Sequence, residues 1–122
     1  MKSFNLRDLK HSELSSKKEK LSLSALLTDS LKFKKLFVHQ EIILPGRRNS
    51  TPHYHSKIEE MFLVIAGKPT IHIGNKLKQL KPGDFIGFKP NAGKKYFIEN
   101  KTHSRIKLLV ICSVDKRDKV KY

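Results

Sequence analysis

Beyond residue 30, hydrophobic residues fall in short segments separated by turns that contain Gly, Pro or Asn, and no helical period appears. Segments of this length, rich in Val, Ile and Phe, predict β-strands separated by tight turns. The predicted segments are Lys34–Leu44, Glu60–Ala66, Thr70–Ile73, Lys76–Leu80, Phe85–Phe88, Lys95–Ile98 and Ile106–Ser113. Seven or eight short strands at such close spacing favour an all-β sandwich or barrel.

The first 30 residues have a different pattern. An apolar group at residues 4–9 is expected to pack, and the polar stretch 11–20, which has no apolar face, is expected to be mobile. Hydrophobic and polar residues alternate over residues 21–25, which predicts a short edge strand. The sequence therefore predicts an N-terminal arm over residues 1–30 and a barrel domain over residues 31–122.

Composition limits the classes to which this protein can belong. A chain of 122 residues is long enough for one domain, and its single Cys112 excludes a disulfide framework and a cysteine-rich zinc module. The longest uninterrupted apolar run, residues 61–66, is far shorter than the roughly 20 residues of a membrane-spanning helix. With no secretory signal visible, we expect a cytoplasmic protein in which Cys112 is a buried, inert thiol.

The net charge of +15 comes mostly from lysine, since 21 of the 26 basic residues are Lys. These lysines are scattered from Lys2 to Lys121, whereas nucleic-acid recognition usually uses arginine forks and aromatic platforms. We therefore interpret the charge as a solvated surface rather than a nucleic-acid interface, and expect it to favour anionic small molecules near any pocket. The charged tail, residues 115–122, is expected to lie on the surface.

Two histidines separated by one residue, His53 and His55, follow a turn-rich stretch. In an extended chain residues i and i+2 point the same way, so both imidazoles are expected to face one side of their strand. Glu59 and Glu60 begin the next predicted strand, and alternation alone does not decide which of them faces the histidines. Two His and one carboxylate form a facial ligand set for Fe(II) that also suits Mn, Ni, Co or Zn.

The stretch from Gly46 to Gly67 resembles the first cupin motif, which reads glycine, spacer, His-x-His, Glu and a closing glycine. The spacing to Gly67 selects Glu60 over Glu59. The stretch from Gly83 to Asn100 is similar to the second cupin motif, with one extra residue between Pro90 and Gly93. The resemblance implies a double-stranded β-helix, or jelly-roll, barrel over roughly residues 35–113.

At the position where the second motif normally supplies a third histidine, this sequence has Tyr96. The resemblance therefore implies a metal set of His53, His55 and Glu60 with Tyr96 in the fourth place. Because a phenol ordinarily titrates near pH 10, Tyr96 is either a weak ligand or a catalytic hydrogen-bond or proton donor. The alternative is an empty pocket in which hydrogen bonds hold the histidine pair.

Other residues are given structural interpretations. His11, His39 and His103 have no partners at metal spacing and are predicted to lie on the surface, and His72 is predicted to be exposed on the polar face of its strand. Four phenylalanines in the strands are predicted to be core residues: Phe62, Phe85, Phe88 and Phe97.

Three functions are consistent with this sequence. The first is a metal-dependent cupin enzyme, such as an oxidoreductase or an isomerase, that acts on a small organic molecule in the barrel. The alternative is a metal-free cupin that binds or senses a sugar or another small anion, and the third, carried by charge alone, is a nucleic-acid-associated protein. In the first two cases we expect a homodimer, because an uncovered sheet edge invites association.

Overall fold

The computed structural model describes the whole chain, residues 1–122, and consists almost entirely of short β-strands. A 3₁₀ turn at Leu6–Asp8 and a single helical turn, α1, at Leu27–Leu31 are the helical elements. The strands are β1 (Ser12–Ser16), β2 (Glu19–Leu26), β3 (Leu36–Ile43), β4 (Tyr54–His55), β5 (Glu60–Ala66), β6 (Thr70–Ile73), β7 (Lys76–Gln79), β8 (Phe85–Phe88), β9 (Tyr96–Glu99), β10 (Ile106–Ser113) and β11 (Val120–Lys121).

The strands form a jelly-roll barrel, as the sequence predicts. A six-stranded antiparallel sheet has the order β1-β2-β3-β10-β5-β8, a three-stranded sheet has the order β7-β6-β9, and β11 pairs with β4. Most connections between neighbours in these sheets are non-consecutive in sequence, which is typical of Greek-key and jelly-roll folds. The arrangement leaves one enclosed interior between the two larger sheets.

The interior is filled by alternate residues of the central strands. In the antiparallel register of β3, β10, β5 and β8, each side chain shares a face with its directly paired neighbours. The inward-facing side chains of these strands, with residues of the three-stranded sheet and Leu80, form the hydrophobic core: Ile43, Phe62, Val64, Ile71, Leu80, Tyr96, Ile98, Ile106, Leu108 and Val110. Two of the predicted core phenylalanines are exceptions. Phe85 lies on the outer face of β8 and is 70% exposed, and Phe97 is partly buried but lies on the opposite face of β9 from the core residues Tyr96 and Ile98.

The N-terminal segment is more ordered than its composition suggests. The polar stretch that was expected to be mobile contains β1, which pairs with β2 in a hairpin. β2 also pairs with β3, so β1 is the edge strand, and the prediction that residues 21–25 form the edge was wrong. The division between an arm (residues 1–30) and a barrel domain (residues 31–122) stays a prediction.

Gly67 ends β5 in a conformation that only glycine tolerates well. Its φ is +86°, and a Cβ added there would lie 2.7 Å from Cγ1 of Ile106 and 2.9 Å from the carbonyl oxygen of Arg105. A side chain would therefore meet both backbone strain and a collision with β10. The closing glycine of the first motif lets β5 turn away directly beside the strand with which it pairs.

The helical part of the chain amounts to two short turns. Neither is long and apolar enough to cross a membrane.

Candidate metal centre

β5 directs Glu60 into the barrel. Glu60 is paired with Cys112 of β10 and with Phe88 of β8, in the same alternating series as the core residues Phe62 and Val64. Alternation therefore turns its neighbour Glu59 to the other side, where it is exposed. The register supplies what the sequence pattern alone could not, namely which of the two carboxylates faces the interior.

The turn-rich loop before the histidines runs antiparallel to β9. Asn49 donates its backbone N–H to the carbonyl oxygen of Ile98 and accepts the Ile98 N–H through its side-chain oxygen, at 2.8 Å in both cases. Further along, the backbones of His53 and Tyr96 bond to each other in both directions. These contacts place His53 directly opposite Tyr96.

The two histidines are each held through Nδ1. Nδ1 of His53 lies 2.7 Å from the carbonyl oxygen of Thr51, and Nδ1 of His55 lies 2.8 Å from Oδ2 of Asp118. Because both partners are acceptors, we assign the proton of each ring to Nδ1. Each Nε2 then keeps its lone pair and is available as a metal ligand.

Three candidate ligand atoms converge in the interior. One from each of His53, His55 and Glu60 lies within 4.8 Å of the other two. Nε2 of His55 is 3.7 Å from Oε1 of Glu60, and the imidazole rings of His53 and His55 meet edge to face with centroids 5.1 Å apart. Two neutral imidazoles and a carboxylate fit a divalent transition metal, so the donor set matches the cofactor that the motif implies.

Tyr96 joins this group through its hydroxyl, which donates a hydrogen bond to Oε1 of Glu60 at 2.9 Å. Its ring is buried and stacks on Phe88, with centroids 3.7 Å apart, while Phe62 meets it edge to face. Burial, together with the nearby Glu60 carboxylate, raises the pKa of the Tyr96 phenol well above its usual value. Tyr96 therefore keeps its proton and acts as a hydrogen-bond donor in this arrangement.

Asp118 is a functional residue that the sequence analysis did not identify. It lies in the C-terminal tail, just before β11, which pairs with β4 and so covers the strand that carries His55. One carboxylate oxygen accepts from Nδ1 of His55, and the other accepts from the backbone N–H groups of Lys57 and Ile58. Burial alone would raise the pKa of Asp118, but these hydrogen bonds together hold it below its usual value.

A second buried carboxyl, Glu41, also faces the interior, where its register partner is the core residue Leu108. Glu41 is only 5% exposed and accepts a hydrogen bond of 2.8 Å from the hydroxyl of Ser22. Burial, reinforced by the charge of Glu60, raises the pKa of Glu41 to about 7. An acidic residue directly before the apolar run Ile42–Leu44 of a predicted strand was the signal that could have identified it.

Glu41 is expected to make stability depend on pH. Its pKa of about 7 exceeds the ordinary value of 4.5, so between these values the unfolded chain has released a proton that the folded chain retains. The free energy of unfolding therefore falls as the pH rises through this window, by about 3 kcal/mol in total. The variant Glu41→Gln cannot ionise, and we expect it to be about 2–3 kcal/mol more stable than the wild type at pH 8.

Urea denaturation of metal-free protein at pH 5 and pH 8 measures this difference. The exposed Glu59→Gln variant is the control, because it removes a carboxylate without changing the interior. Equal pH dependence in the wild type and Glu41→Gln would contradict the prediction.

The remaining histidines lie outside the metal centre. His39 was predicted to be on the surface but is half-buried, with Nδ1 3.0 Å from the hydroxyl of Ser24, and burial lowers its pKa. His11 is also partly buried and contacts Gln40, whereas His103 is exposed as predicted. His72 was predicted to be exposed but stacks on Phe97.

Cys112 is buried beside the centre, as predicted for a structural thiol. Its register partner is Glu60, and burial raises its pKa to about 11. A thiol with so high a pKa is almost entirely protonated at neutral pH, which makes it a poor nucleophile.

Comparison with known proteins agrees with this architecture. Residues 39–112 match the family model described as Cupin domain. No curated protein matches the chain.

Solved structures show the same fold. A sugar phosphate isomerase from a cupin superfamily of Silicibacter pomeroyi has a TM-score of 0.91 at 20% identity, covering 99% of this chain and 81% of its own. A candidate sugar phosphate isomerase from Acidithiobacillus ferrooxidans has a TM-score of 0.79 at 30% identity over 83% of this chain, which spans 64% of that protein's length. The polyketide cyclase RemF from Streptomyces resistomycificus has a TM-score of 0.83 at 17% identity, covering 99% of this chain and 84% of its own.

Proposed function

This chain belongs to the cupin domain family, and on that premise we propose that it is a metal-dependent enzyme whose barrel isomerises a small phosphorylated sugar. The observation that carries the proposal is the convergence of ligand atoms from His53, His55 and Glu60 within 4.8 Å of one another. The substrate class is suggested by two structural neighbours that are described as sugar phosphate isomerases or candidates for that activity.

The proposed metal is a divalent transition ion, Fe, Mn, Ni, Co or Zn, held by His53, His55 and Glu60. When bound, such a metal supplies Lewis acidity that polarises a carbonyl or hydroxyl oxygen of the substrate. Thr51 and Asp118 hold the two imidazoles in the tautomer that presents Nε2 to the interior. The rings of Phe62 and Phe88 pack against Tyr96 and make its surroundings apolar.

Tyr96 is the catalytic residue that we propose in addition to the ligands. Its hydroxyl keeps its proton and is directed at Oε1 of Glu60, so it is placed to donate a hydrogen bond or a proton to an oxygen atom beside that carboxylate. In this role Tyr96 stands at the motif position of the third histidine but does not bind the metal through a phenolate.

The test is metal analysis of protein purified without an affinity tag, before and after removal of metal with a chelator and reconstitution with each of the five metals. We expect close to one equivalent of a transition metal, and interconversion of ribose 5-phosphate or glucose 6-phosphate with its isomer that depends on that metal and is followed by NMR. Metal below about a tenth of an equivalent, with no uptake on reconstitution, would contradict the proposal.

A metal-free binding or sensing function is the second candidate. It is favoured by the hydrogen bond between Tyr96 and Glu60, which satisfies one oxygen of the carboxylate without a metal. In that case glucose 6-phosphate should raise the melting temperature equally in the wild type and in a variant that carries both His53→Ala and His55→Ala. Loss of the stabilisation in the double variant would instead favour the metal-dependent function.

We also propose that the protein is a homodimer. The outer face of the six-stranded sheet carries a row of hydrophobic side chains, including Leu36, Met61, Ile65, Phe85 and Ile111. A contiguous apolar sheet face on a chain this small is typical of an interface. Light scattering should give twice the mass of one chain for the wild type and a smaller mass for Phe85→Lys, and a wild-type monomer would contradict the proposal.

A further inference from the structure

The hairpin of β1 and β2 has a turn whose residues do not suit its geometry. Ser16 and Glu19 are paired, so Lys17 and Lys18 form a two-residue loop, with φ values of +48° and +70°. Two positive φ angles are the signature of a type I′ turn, which strongly prefers Asn-Gly because other residues are strained there. Lysine at both positions disfavours the turn and places two positive charges at its tip.

Ion pairs hold this hairpin against the loop that leads to the histidines. Arg47 donates to Glu13 of β1 at 2.9 Å, and Arg48 forms a two-point contact with Glu19 of β2 at 2.9 and 2.8 Å. The two arginines are therefore neutralised by the hairpin. Lys17, by contrast, forms no ion pair, and neither does Lys95, which faces the same space.

The tip of the hairpin forms one wall of an open cavity of about 570 Å³, which we call the rim cavity. Two lysines and three hydroxyl-bearing residues account for five of its six lining residues, and no Asp or Glu lines it. The lining residues are Ser16, Lys17, Thr51, Pro52, Lys95 and Tyr122. Hydroxyl groups and ammonium groups that no Asp or Glu side chain pairs with suit a phosphate group.

The rim cavity shares a wall with the metal centre. The carbonyl oxygen of Thr51 accepts the hydrogen bond from Nδ1 of His53, and the ring of Tyr122 lies 6.1 Å from the ring of His53. Lys95 directly precedes Tyr96, whose backbone pairs with that of His53. An anionic group in the rim cavity would therefore lie just outside the imidazole of His53.

We propose that the rim cavity binds the phosphate group of the substrate, with Lys17 and Lys95 as the charged partners. This inference rests on the proposed function only for the identity of the ligand, a phosphorylated sugar. It gives a reason for lysine at position 17 of a turn that favours asparagine and glycine.

The hairpin itself offers a matched pair of variants. Lys17→Asn and Lys18→Asn each remove one positive charge and each introduce a residue that tolerates a positive φ, but only Lys17 lines the rim cavity. We expect both variants to melt at or above the wild-type temperature, so a change in binding is not a consequence of unfolding. Lys95→Gln removes the second proposed contact.

The probe is inorganic phosphate, titrated into chelator-treated protein at low salt so that no metal contributes, with binding followed by NMR. We expect the dissociation constant to rise about 3- to 10-fold for Lys17→Asn and for Lys95→Gln, and less than about 2-fold for Lys18→Asn. Equal weakening by the two Asn variants would overturn the proposal, because it would indicate a general effect of net charge. No measurable binding by the wild type would overturn it as well.

Metal uptake, measured separately on the same proteins, distinguishes this inference from the proposed function. Metal binding by Lys17→Asn that equals the wild type, with weakened phosphate binding, supports the rim cavity as an independent subsite. If the wild type takes up no metal but the pattern of phosphate binding holds, the metal-dependent function fails and the phosphate site stands. If metal binds but the pattern is absent, the phosphate site fails alone.

Discussion

Replacing His55 by alanine is expected to lower the affinity for a divalent metal by about two to three orders of magnitude. In a zinc site of four ligands, roughly 10–16 kcal/mol of binding free energy is shared, so each ligand supplies about 2.5–4 kcal/mol. The remaining His53 and Glu60 would be left as a two-point site that water must complete. Competition with a chromophoric chelator measures the affinity, and elemental analysis measures the bound metal.

His72→Ala is the matched control for this experiment. It also removes one partly buried imidazole that is bonded to a carboxylate, since Nε2 of His72 lies 2.9 Å from Glu99, but His72 is not part of the convergent group. We expect its metal affinity to stay within a factor of about 2–3 of the wild type. A His55→Ala protein that is folded, as judged by circular dichroism, and binds metal within tenfold of the wild type would show that the metal is held elsewhere.

Much of the barrel could be predicted because its signals are local. Gly, Pro and Asn end the strands, and alternation within each strand reports which face is buried. The predicted bounds of β5, β6, β8 and β10 therefore coincide with the observed ones. The membership of the cupin family that the two motifs implied is confirmed by the family match over residues 39–112.

β1 could not be predicted, because its sequence has almost no apolar pattern. Ser12–Ser16 is nearly all polar and mostly exposed, and its place at the sheet edge follows from pairing with β2 and from the ion pair of Glu13 with Arg47, beside that of Glu19 in β2 with Arg48. Such contacts join residues about 30 positions apart and leave no trace in a short window of sequence. The prediction of a mobile segment therefore failed at a strand that long-range contacts hold.

Part of the candidate site could be predicted from the sequence, and part could not. His53, His55 and Glu60 stand within eight residues, so spacing and resemblance sufficed to select them, and their ligand atoms do converge. Asp118 is 63 residues from His55, in a tail that reads as a charged surface segment. Only the pairing of β11 with β4 reveals that this tail returns to the histidine strand.

Replacing Asp118 by asparagine is expected to lower metal affinity about 10- to 100-fold, the usual cost of removing the carboxylate behind a metal-binding histidine. The Asp118 carboxylate fixes the tautomer of His55 and increases the basicity of Nε2. An asparagine whose oxygen stays on the backbone N–H groups turns its NH2 group toward Nδ1 of His55, where it can only donate, so it supplies neither effect. The side-chain oxygen of Asn can still accept from the backbone N–H groups of Lys57 and Ile58. The tail should therefore remain attached in Asp118→Asn, whereas Asp118→Ala removes the attachment as well.

Comparing these two variants separates the effect of the Asp118 charge on metal affinity from the role of Asp118 in attaching the tail. Asp115→Asn is the control, since Asp115 lies in the same tail but pairs with Arg117 away from the histidines. If charge matters as predicted, Asp118→Asn should lose most of the affinity that Asp118→Ala loses, while its resistance to proteolysis of the tail stays near that of the wild type. If Asp118→Asn instead binds metal as tightly as the wild type, the carboxylate acts only as a tether, and the assignment of Asp118 as the residue that tunes His55 is wrong.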